Sequence, residues 1–296
     1  MQRTEEPAAL PAVVVTGAST GIGKAIALTL AGYGYRVYAG VRRDDDGARL
    51  MAEAEAATAS GARGEVVALM LDVTDAEHVS AAVETVRSRD GGGRLAGLVN
   101  NAGIAVAGPM EFLPIADLRS QFEVNVLGQV AVTQAFLPLL RESGGRLVFV
   151  GSVSGLVSSR LLGAYAASKF ALEAIADAFR RELAPWNVRV SVVEPGRIAT
   201  PIWEKSVADG HERMAQLPPE AVAYYDDLMQ SITDGAREAA QVGTKPEAVA
   251  RAVHRALTAR RPRTRYFVGT DAHIINVMRR VVSDPLLDRI ISASGR

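Results

Sequence analysis

A phenol and an ammonium stand four residues apart in "YAASK", as Tyr165 and Lys169, at the start of an alanine-rich segment otherwise suited to packing. On an α-helix, positions i and i+4 lie one above the other, so the two groups share a face. A free phenol titrates near 10, too weak an acid for ready exchange at neutrality. A neighbouring positive charge favours the phenolate, so the pair predicts a tyrosine drawn down toward the working pH, able to give and take a proton. Two hydroxyls, Ser152 and Ser154, lie 13 and 11 residues upstream in "VFVGSVSG". Ser152 comes first after an apolar run and has room to face the tyrosine, so it is the candidate for holding a reacting oxygen. Ser154 reads as a turn residue. A proton donor beside an oxygen-holding hydroxyl suits a carbonyl on whose oxygen negative charge develops.

Such chemistry needs a source of hydride, and "TGASTGIG" (16–23) offers a place to bind one. Gly17, Gly21 and Gly23 remove side chains where a backbone must turn sharply and approach a pyrophosphate, with Ser19, Thr20 and Ile22 completing the cradle. The pyrophosphate would rest on the positive end of the following helix. The next apolar run ends "AGVRRDDDG", with Val41 in the slot where an acid would accept from a ribose 2′-hydroxyl, and Arg42 and Arg43 after it. Guanidinium groups suit a 2′-phosphate, so NADP(H) is expected; Asp44, at a distance fit for a hydroxyl, keeps NAD(H) open. Asp72, beside Val73 in "LDVTD", either accepts from an adenine amino group or caps the helix after it.

These groups must be carried by regular elements. Apolar or β-branched runs at 12–17, 35–41, 65–71, 95–101, 146–152 and 188–195 alternate with amphipathic stretches at 21–34, 45–60, from Asp75, near 115–141 and at 163–184. Near-continuous apolar strands separated by helices predict a three-layer, doubly wound α/β fold around a mostly parallel sheet. "RYFVG" (265–269) supplies a seventh, closing strand. Past Pro195 the rhythm fails, and residues 201–243, interrupted by "ADG" and "LPPE", read as short mobile helices forming a substrate lid. "TKPEAVARAVHRAL" (244–257) reads as a helix opened by a Thr244–Glu247 capping box. The whole is expected to be one domain: a cofactor-binding and catalytic core over about 12–200, the lid, and a closing helix, strand and C-terminal helices over 244–296.

Composition narrows the classes. The formal charge is zero across 296 residues, so no global field recruits nucleic acid. The chain has no cysteine, which excludes disulfide and thiolate chemistry, and no His/carboxylate cluster at metal spacing, so no metal is expected. No apolar run approaches the roughly 18 residues needed to span a bilayer, and "MQRTEEPAALPA" resembles neither a signal peptide nor an anchor, so the expected location is cytoplasmic.

Taken together, "TGASTGIG", "NNAG" (100–103), "FEVNVLG" (122–128), Ser152, "YAASK" and "PGRIAT" (195–200) resemble the short-chain dehydrogenase/reductase family over roughly residues 12–200. The resemblance implies that Tyr165 is the general acid–base, that Ser152 orients the substrate oxygen, and that Lys169 binds the nicotinamide ribose while lowering the tyrosine's pKa. It further implies that Asn125 positions a water in a proton relay. Asn100 and the backbone after it, through Asn101, Ala102 and Gly103, would line the cofactor site. Pro195, Gly196, Ile198 and Thr200 match the cofactor-binding loop, with Ile198 and Thr200 at the positions that contact the carboxamide. The C-terminal part resembles the steroid- and retinol-type branch. With Leu156, Val157, Leu161, Met110, Trp203, Met214 and Leu217 available to line a pocket, it implies a lipophilic carbonyl or alcohol substrate. Family members form dimers or tetramers, and the same is expected here. Two other readings remain: a non-catalytic cofactor-sensing regulator on the same fold, and a sugar-nucleotide epimerase, whose glycine spacing differs.

Overall fold

The computed structural model describes residues 10–58, 63–89 and 95–293. The start of the chain, read above as neither signal nor anchor, and the last two positions of the helix expected to reach 60 lie outside the described residues.

Seven strands form one sheet: β1 (Ala12–Val15), β2 (Arg36–Val41), β3 (Glu65–Met70), β4 (Leu95–Asn100), β5 (Arg146–Val150), β6 (Arg189–Pro195) and β7 (Arg265–Val268). Their order is β3-β2-β1-β4-β5-β6-β7, and every pairing is parallel. Parallel neighbours need crossovers, and helices α1 (Gly21–Gly32), α2 (Asp44–Thr58), α3 (Ala76–Arg89), α4 (Ile115–Phe122), α5 (Gly128–Ser143) and α6 (Gly163–Glu182) provide them. Alternate residues of β1 enter opposite cores, Val14 joining Phe136, Phe149 and Leu172, and Val13 and Val15 joining Ile26, Leu30 and Val148. Burial on both faces is why each strand reads as an unbroken apolar run. The chain winds one way from β1 to β3 and the other from β4 onward, so a crevice opens at the strand ends between β1 and β4.

Between α4 and α5, residues Glu123–Leu127 form a wider turn, with the Gly128 N–H donating to the Glu123 carbonyl. The continuous helix Ile115–Ser143 is long and apolar enough to cross a membrane by length and composition, with mean hydropathy 1.2, contrary to the run-length expectation. Over half of that window, 56%, is buried inside the fold, where Val132, Phe136, Leu139 and Leu140 pack in the core.

The region after β6 departs from expectation. In place of short pieces, residues 201–243 hold α7 (Ile202–Met214) and the 24-residue α8 (Pro219–Val242). "LPPE" does separate them, but "ADG" does not break α7, because Gly210 faces Met229 and Ala107 at a close crossing. Polar residues that look like interruptions lie on the outer faces, while Leu161, Met214 and Met229 form a small core with Leu217, Tyr225 and Leu228. The helix α9 (Pro246–Thr258) follows, without the capping box. Thr244 instead pairs with Ile198 as a parallel bridge: its N–H donates to the Arg197 carbonyl (3.0 Å) and its carbonyl accepts from the Ala199 N–H (3.1 Å). After β7 come α10 (Thr270–Val281) and α11 (Asp284–Ala293).

Candidate active site

The turn after β1 is built by exclusion of side chains. Gly17 and Gly21 have φ of +63° and +55°, a region that L side chains rarely adopt. A Cβ on Gly23 would overlap the Gly17 carbonyl and the Asn101 amide, and one on Gly17 would lie 2.7 Å from the Ala102 backbone. Thr16 and Asn101 stitch this turn to the end of β4: the Asn101 and Ala102 N–H groups donate to Thr16 Oγ1, each at 2.9 Å, and Asn101 Nδ2 donates to the Thr16 and Gly17 carbonyls. Asn100 does not line this site. It is fully buried and donates from Nδ2 to Thr133 on α5 (2.7 Å), because consecutive strand-end residues point to opposite faces. Ser19, Thr20 and Gly103 sit on the loops around this cradle and Ile22 in the first turn of α1, and the whole is shaped to accept a pyrophosphate backbone-first.

At the next strand end the two arginines separate. Arg43 is engaged by Asp46, Nε to Oδ2 at 2.9 Å and Nη2 to Oδ1 at 3.1 Å. Arg42 is exposed and acts electrostatically on Asp72 across the crevice rim. Asp44 opens α2. Asp72 is not a helix cap: its Oδ1 accepts from the Thr74 N–H (3.0 Å) and hydroxyl (2.7 Å), while Asp75 caps α3 through the Glu77 and His78 N–H groups. Partial burial pushes Asp72 up, yet the Thr74 bonds and the Arg42 charge outweigh it and hold the carboxyl below its usual range. Val73 is buried against Gly128 of α5.

On the other side of β4, the expected proton-transfer residues do converge. Ser152 lies two residues past β5, and its hydroxyl is near enough to the Tyr165 phenol to favour the phenolate; the Ser154 N–H donates to the same hydroxyl (3.1 Å), so Ser154 is the turn residue. Lys169, one turn along α6, places Nζ 5.8 Å from the Tyr165 ring centre and donates to the Val150 carbonyl at 2.8 Å. Asn125 sits in the wide turn, its Oδ1 accepting from the Ile104 N–H and its Nδ2 donating to the Ile104 carbonyl and to Ser168 on α6. Gln121, one turn before it, grips the Val106 N–H and the Ile104 carbonyl. Nothing in the sequence singled out Gln121; a buried amide one turn from Asn125 on the same helix was the available sign.

The electrostatics correct one expectation. Tyr165 is pushed up to about 12, not down: its burial outweighs the pull of the Ser152 hydroxyl, and Glu194 adds a negative charge. Lys169 is lowered to about 8, again by burial, against the pull of Glu194 and Glu173. The ammonium fails to draw the phenol down because both groups are desolvated together and its nitrogen is aimed at a backbone carbonyl. Glu194, in β6, is a further buried group that sequence reading passed over. Neither of its carboxyl oxygens meets a hydrogen-bond donor among the described residues. Burial and the adjacent Glu173 push it well above its usual value, against Lys169 and Arg265. An acid inside the apolar run "VRVSVVEP" was the signal.

The loop after β6 closes the crevice. Thr200 lies against Gly21, so this loop meets the phosphate turn. Pro195 ends the strand and the Gly196 N–H donates to the Val268 carbonyl. The Ile198 side chain is buried in the core, at 2% exposure, so it offers a ligand no side-chain contact. Its bridge to Thr244 uses the Arg197 carbonyl and the Ala199 N–H, which leaves Ile198's own N–H and carbonyl on the edge away from Thr244. Above them α7 brings Trp203 edge-on to Tyr165, ring centres 5.6 Å apart. Of the expected pocket residues, Leu161 and Met214 are committed to the small core of the lid, and Met110 is largely exposed beside Gly163.

Comparison with known proteins agrees with this geometry. A family model described as short chain dehydrogenase matches residues 11–210. The chain is 36% identical over 282 residues to an NADPH-dependent 3-dehydrocapnine reductase of Ornithobacterium rhinotracheale, covering 94% of each. It is also 36% identical over 279 residues to mouse (Mus musculus) retinol dehydrogenase 5, covering 92% of this chain and 85% of the relative. Among solved structures, a short chain dehydrogenase from Burkholderia cenocepacia in complex with NADP superposes with TM-score 0.70 at 26% identity, over 95% of this chain and 97% of that one. A glycine cradle at the β1–β4 crevice, a Ser–Tyr–Lys cluster on its far bank and these likenesses lead to one conclusion: the chain belongs to the short-chain dehydrogenase family, as an oxidoreductase acting on CH–OH groups and resembling the retinol dehydrogenase branch.

Proposed function

We propose that this protein interconverts a lipophilic ketone or aldehyde and its alcohol with NADP(H), and that reduction is the favoured direction. The observation that carries the reading is the convergence of Ser152, the Tyr165 phenol and Lys169, whose Nζ lies 5.8 Å from the Tyr165 ring centre, at the edge of the crevice that the glycine cradle opens. The cradle fits a nicotinamide dinucleotide: Gly17 and Gly23 pack bare backbone against Ala102, Asn101 and the turn itself, and Gly17 and Gly21 take positive φ, so a tight turn of backbone groups opens the first helix where a pyrophosphate would sit. Ser19, Thr20, Ile22, Asp72, Val73, Asn101, Ala102 and Gly103 would border the adenosine and pyrophosphate, and Pro195, Gly196, Ile198 and Thr200 the nicotinamide. When bound, the cofactor supplies or accepts the hydride. Arg42, uncommitted to Asp46, is the residue for a 2′-phosphate, with Arg43 as its neighbour, and the likeness to an NADPH-dependent reductase supports that preference over NAD(H).

In this role Ser152 holds the substrate oxygen while Tyr165 donates a proton to it as negative charge develops. A phenol held at about 12 in the cofactor-free protein keeps its proton at neutral pH and so has one to give. Lys169, near 8, stays mostly cationic at pH 7 and anchors the ribose side, and Asn125 fixes the 104–106 loop and the water path behind Lys169. Trp203 and the α7–α8 core give the substrate an apolar ceiling, which supports a lipophilic substrate. Exposed Leu127 and Phe170, on the wide turn and α6, support assembly into a homodimer or homotetramer.

The test is a screen of lipophilic ketones and alcohols with NADPH and NADH, repeated with Tyr165→Phe. Turnover should fall by about 10²–10⁴-fold in the variant while dinucleotide binding persists. Near-normal turnover would remove the tyrosine from the chemistry, and dinucleotide binding without turnover of any substrate would favour a cofactor-sensing regulator.

A further inference from the structure

We propose that Asp271, at the start of α10 and outside the 11–210 segment shared with the family model, is a positioning residue for the nicotinamide half of the site. This rests on the reading above that the loop 195–200 receives the nicotinamide end of the cofactor. The Asp271 carboxylate reaches back across the sheet edge and accepts from the Arg197 N–H, Oδ2 to N at 2.6 Å. It occupies space that two glycines leave: a Cβ on Gly196 would overlap both carboxylate oxygens, and one on Gly269, where φ is +103°, would come within 2.5 Å of Oδ1. Two backbone positions at the ends of β6 and β7 are therefore kept bare around one side chain.

What this holds is the orientation of a peptide. The loop is tied to β7 by the Gly196 N–H and to Thr244 by the Arg197 carbonyl and the Ala199 N–H. The N–H of Arg197 is the next group in that ladder, and Asp271 is its acceptor. With Arg197 fixed on both its N–H and its carbonyl, the Ile198 N–H and carbonyl are set on the edge away from Thr244 without any contribution from the buried Ile198 side chain. The exposed Arg197–Glu238 ion pair cannot substitute for this, since it holds the side-chain tip and not the peptide.

The experiment measures two dissociation constants on the full-length protein: for whichever of NADPH or NADH the wild type binds more tightly, and for its nicotinamide-free counterpart, 2′-phospho-ADP-ribose or ADP-ribose. Asp271→Ala leaves the Arg197 N–H without its acceptor and should weaken the intact dinucleotide by about tenfold, with the nicotinamide-free fragment unchanged. Asp271→Ser, too short to reach Arg197, should behave alike if the alanine variant folds poorly. Asp271→Asn, whose amide oxygen can still accept, should restore most of the affinity. Unchanged dinucleotide affinity in the alanine and serine variants, or equal losses for dinucleotide and fragment, would overturn the assignment and leave Asp271 a structural residue. A wild type that binds the fragment as tightly as the dinucleotide would instead overturn the placement of nicotinamide at this loop, and this inference with it.

Discussion

The glycine turn after β1 and the helix pair α7–α8 after β6 are held by different forces. The turn is fixed by backbone: the Asn101 side chain donates to its carbonyls, Thr16 Oγ1 accepts from the N–H groups at the end of β4, Gly17 and Gly23 pack where no side chain fits, and Gly21 takes a positive φ. The lid is fixed by its own apolar centre of Met214, Met229 and Leu161. Its ties to the rest include an Arg213–Asp117 ion pair, an Arg197–Glu238 pair, a Tyr225–Glu111 hydrogen bond (2.8 Å) and the Trp203–Tyr165 ring contact. Backbone geometry tolerates no change without loss, whereas a helix pair docked by partly exposed charges can change its inner residues and keep its place.

Substituting glycine in each of the two gives the sharpest contrast. Gly23→Ala puts a methyl group into the Gly17 carbonyl and the Asn101 amide, so dinucleotide affinity should drop by about 100-fold or more, measured by titration of the cofactor. A variant that binds normally would break the claim that the turn is sterically closed.

Buried charge on the catalytic bank should show in stability. An unfolded lysine keeps its proton to about 10.5, while folded Lys169 releases it near 8, so in that window the unfolded state binds more protons and stability rises with pH, by up to about 3 kcal/mol. Tyr165 acts oppositely: its folded value of about 12 lies above the unfolded 10, and stability falls between those limits. Denaturant unfolding of the cofactor-free protein from pH 7 to 10 should therefore show a rise that Lys169→Met abolishes. A flat wild-type profile would mean that Lys169 is not desolvated.

Arg42→Ala should weaken NADPH by about 10-fold and leave NADH nearly unchanged in parallel titrations. Equal effects would assign the 2′-phosphate preference elsewhere. Smallest of all, Gly235→Ala on α8, where a Cβ meets nothing within 4 Å, should stabilise the protein by about 0.5–1 kcal/mol in thermal unfolding, since alanine favours the helix. Destabilisation there would show that the lid's outer face packs against something.

Much of this was legible along the chain. The alternation of apolar runs and amphipathic helices gave the parallel sheet, and the spacing of Gly17, Gly21 and Gly23 announced the turn that they form. The i, i+4 relation of Tyr165 and Lys169 held, as did the approach of Ser152. Where reading failed, a local pattern met a distant competitor. Thr244 had the residue type of a cap, but the Arg197 and Ala199 peptides claimed its backbone. Asn100 and Asn101 are identical in type, and only the strand's two faces send one to Thr133 and the other to the phosphate turn.

The sequence by itself determined which segments become strands and helices, where the backbone must be bare, and which reactive groups share a helix face, since these follow from periodicity and sterics within a few residues. The tertiary structure alone decided the direction in which Tyr165, Lys169 and Glu194 shift, and the partnership of Asp271 with Arg197. Those depend on how much water is excluded and which distant groups replace it, and that is set only when β6, β7 and α6 are packed together.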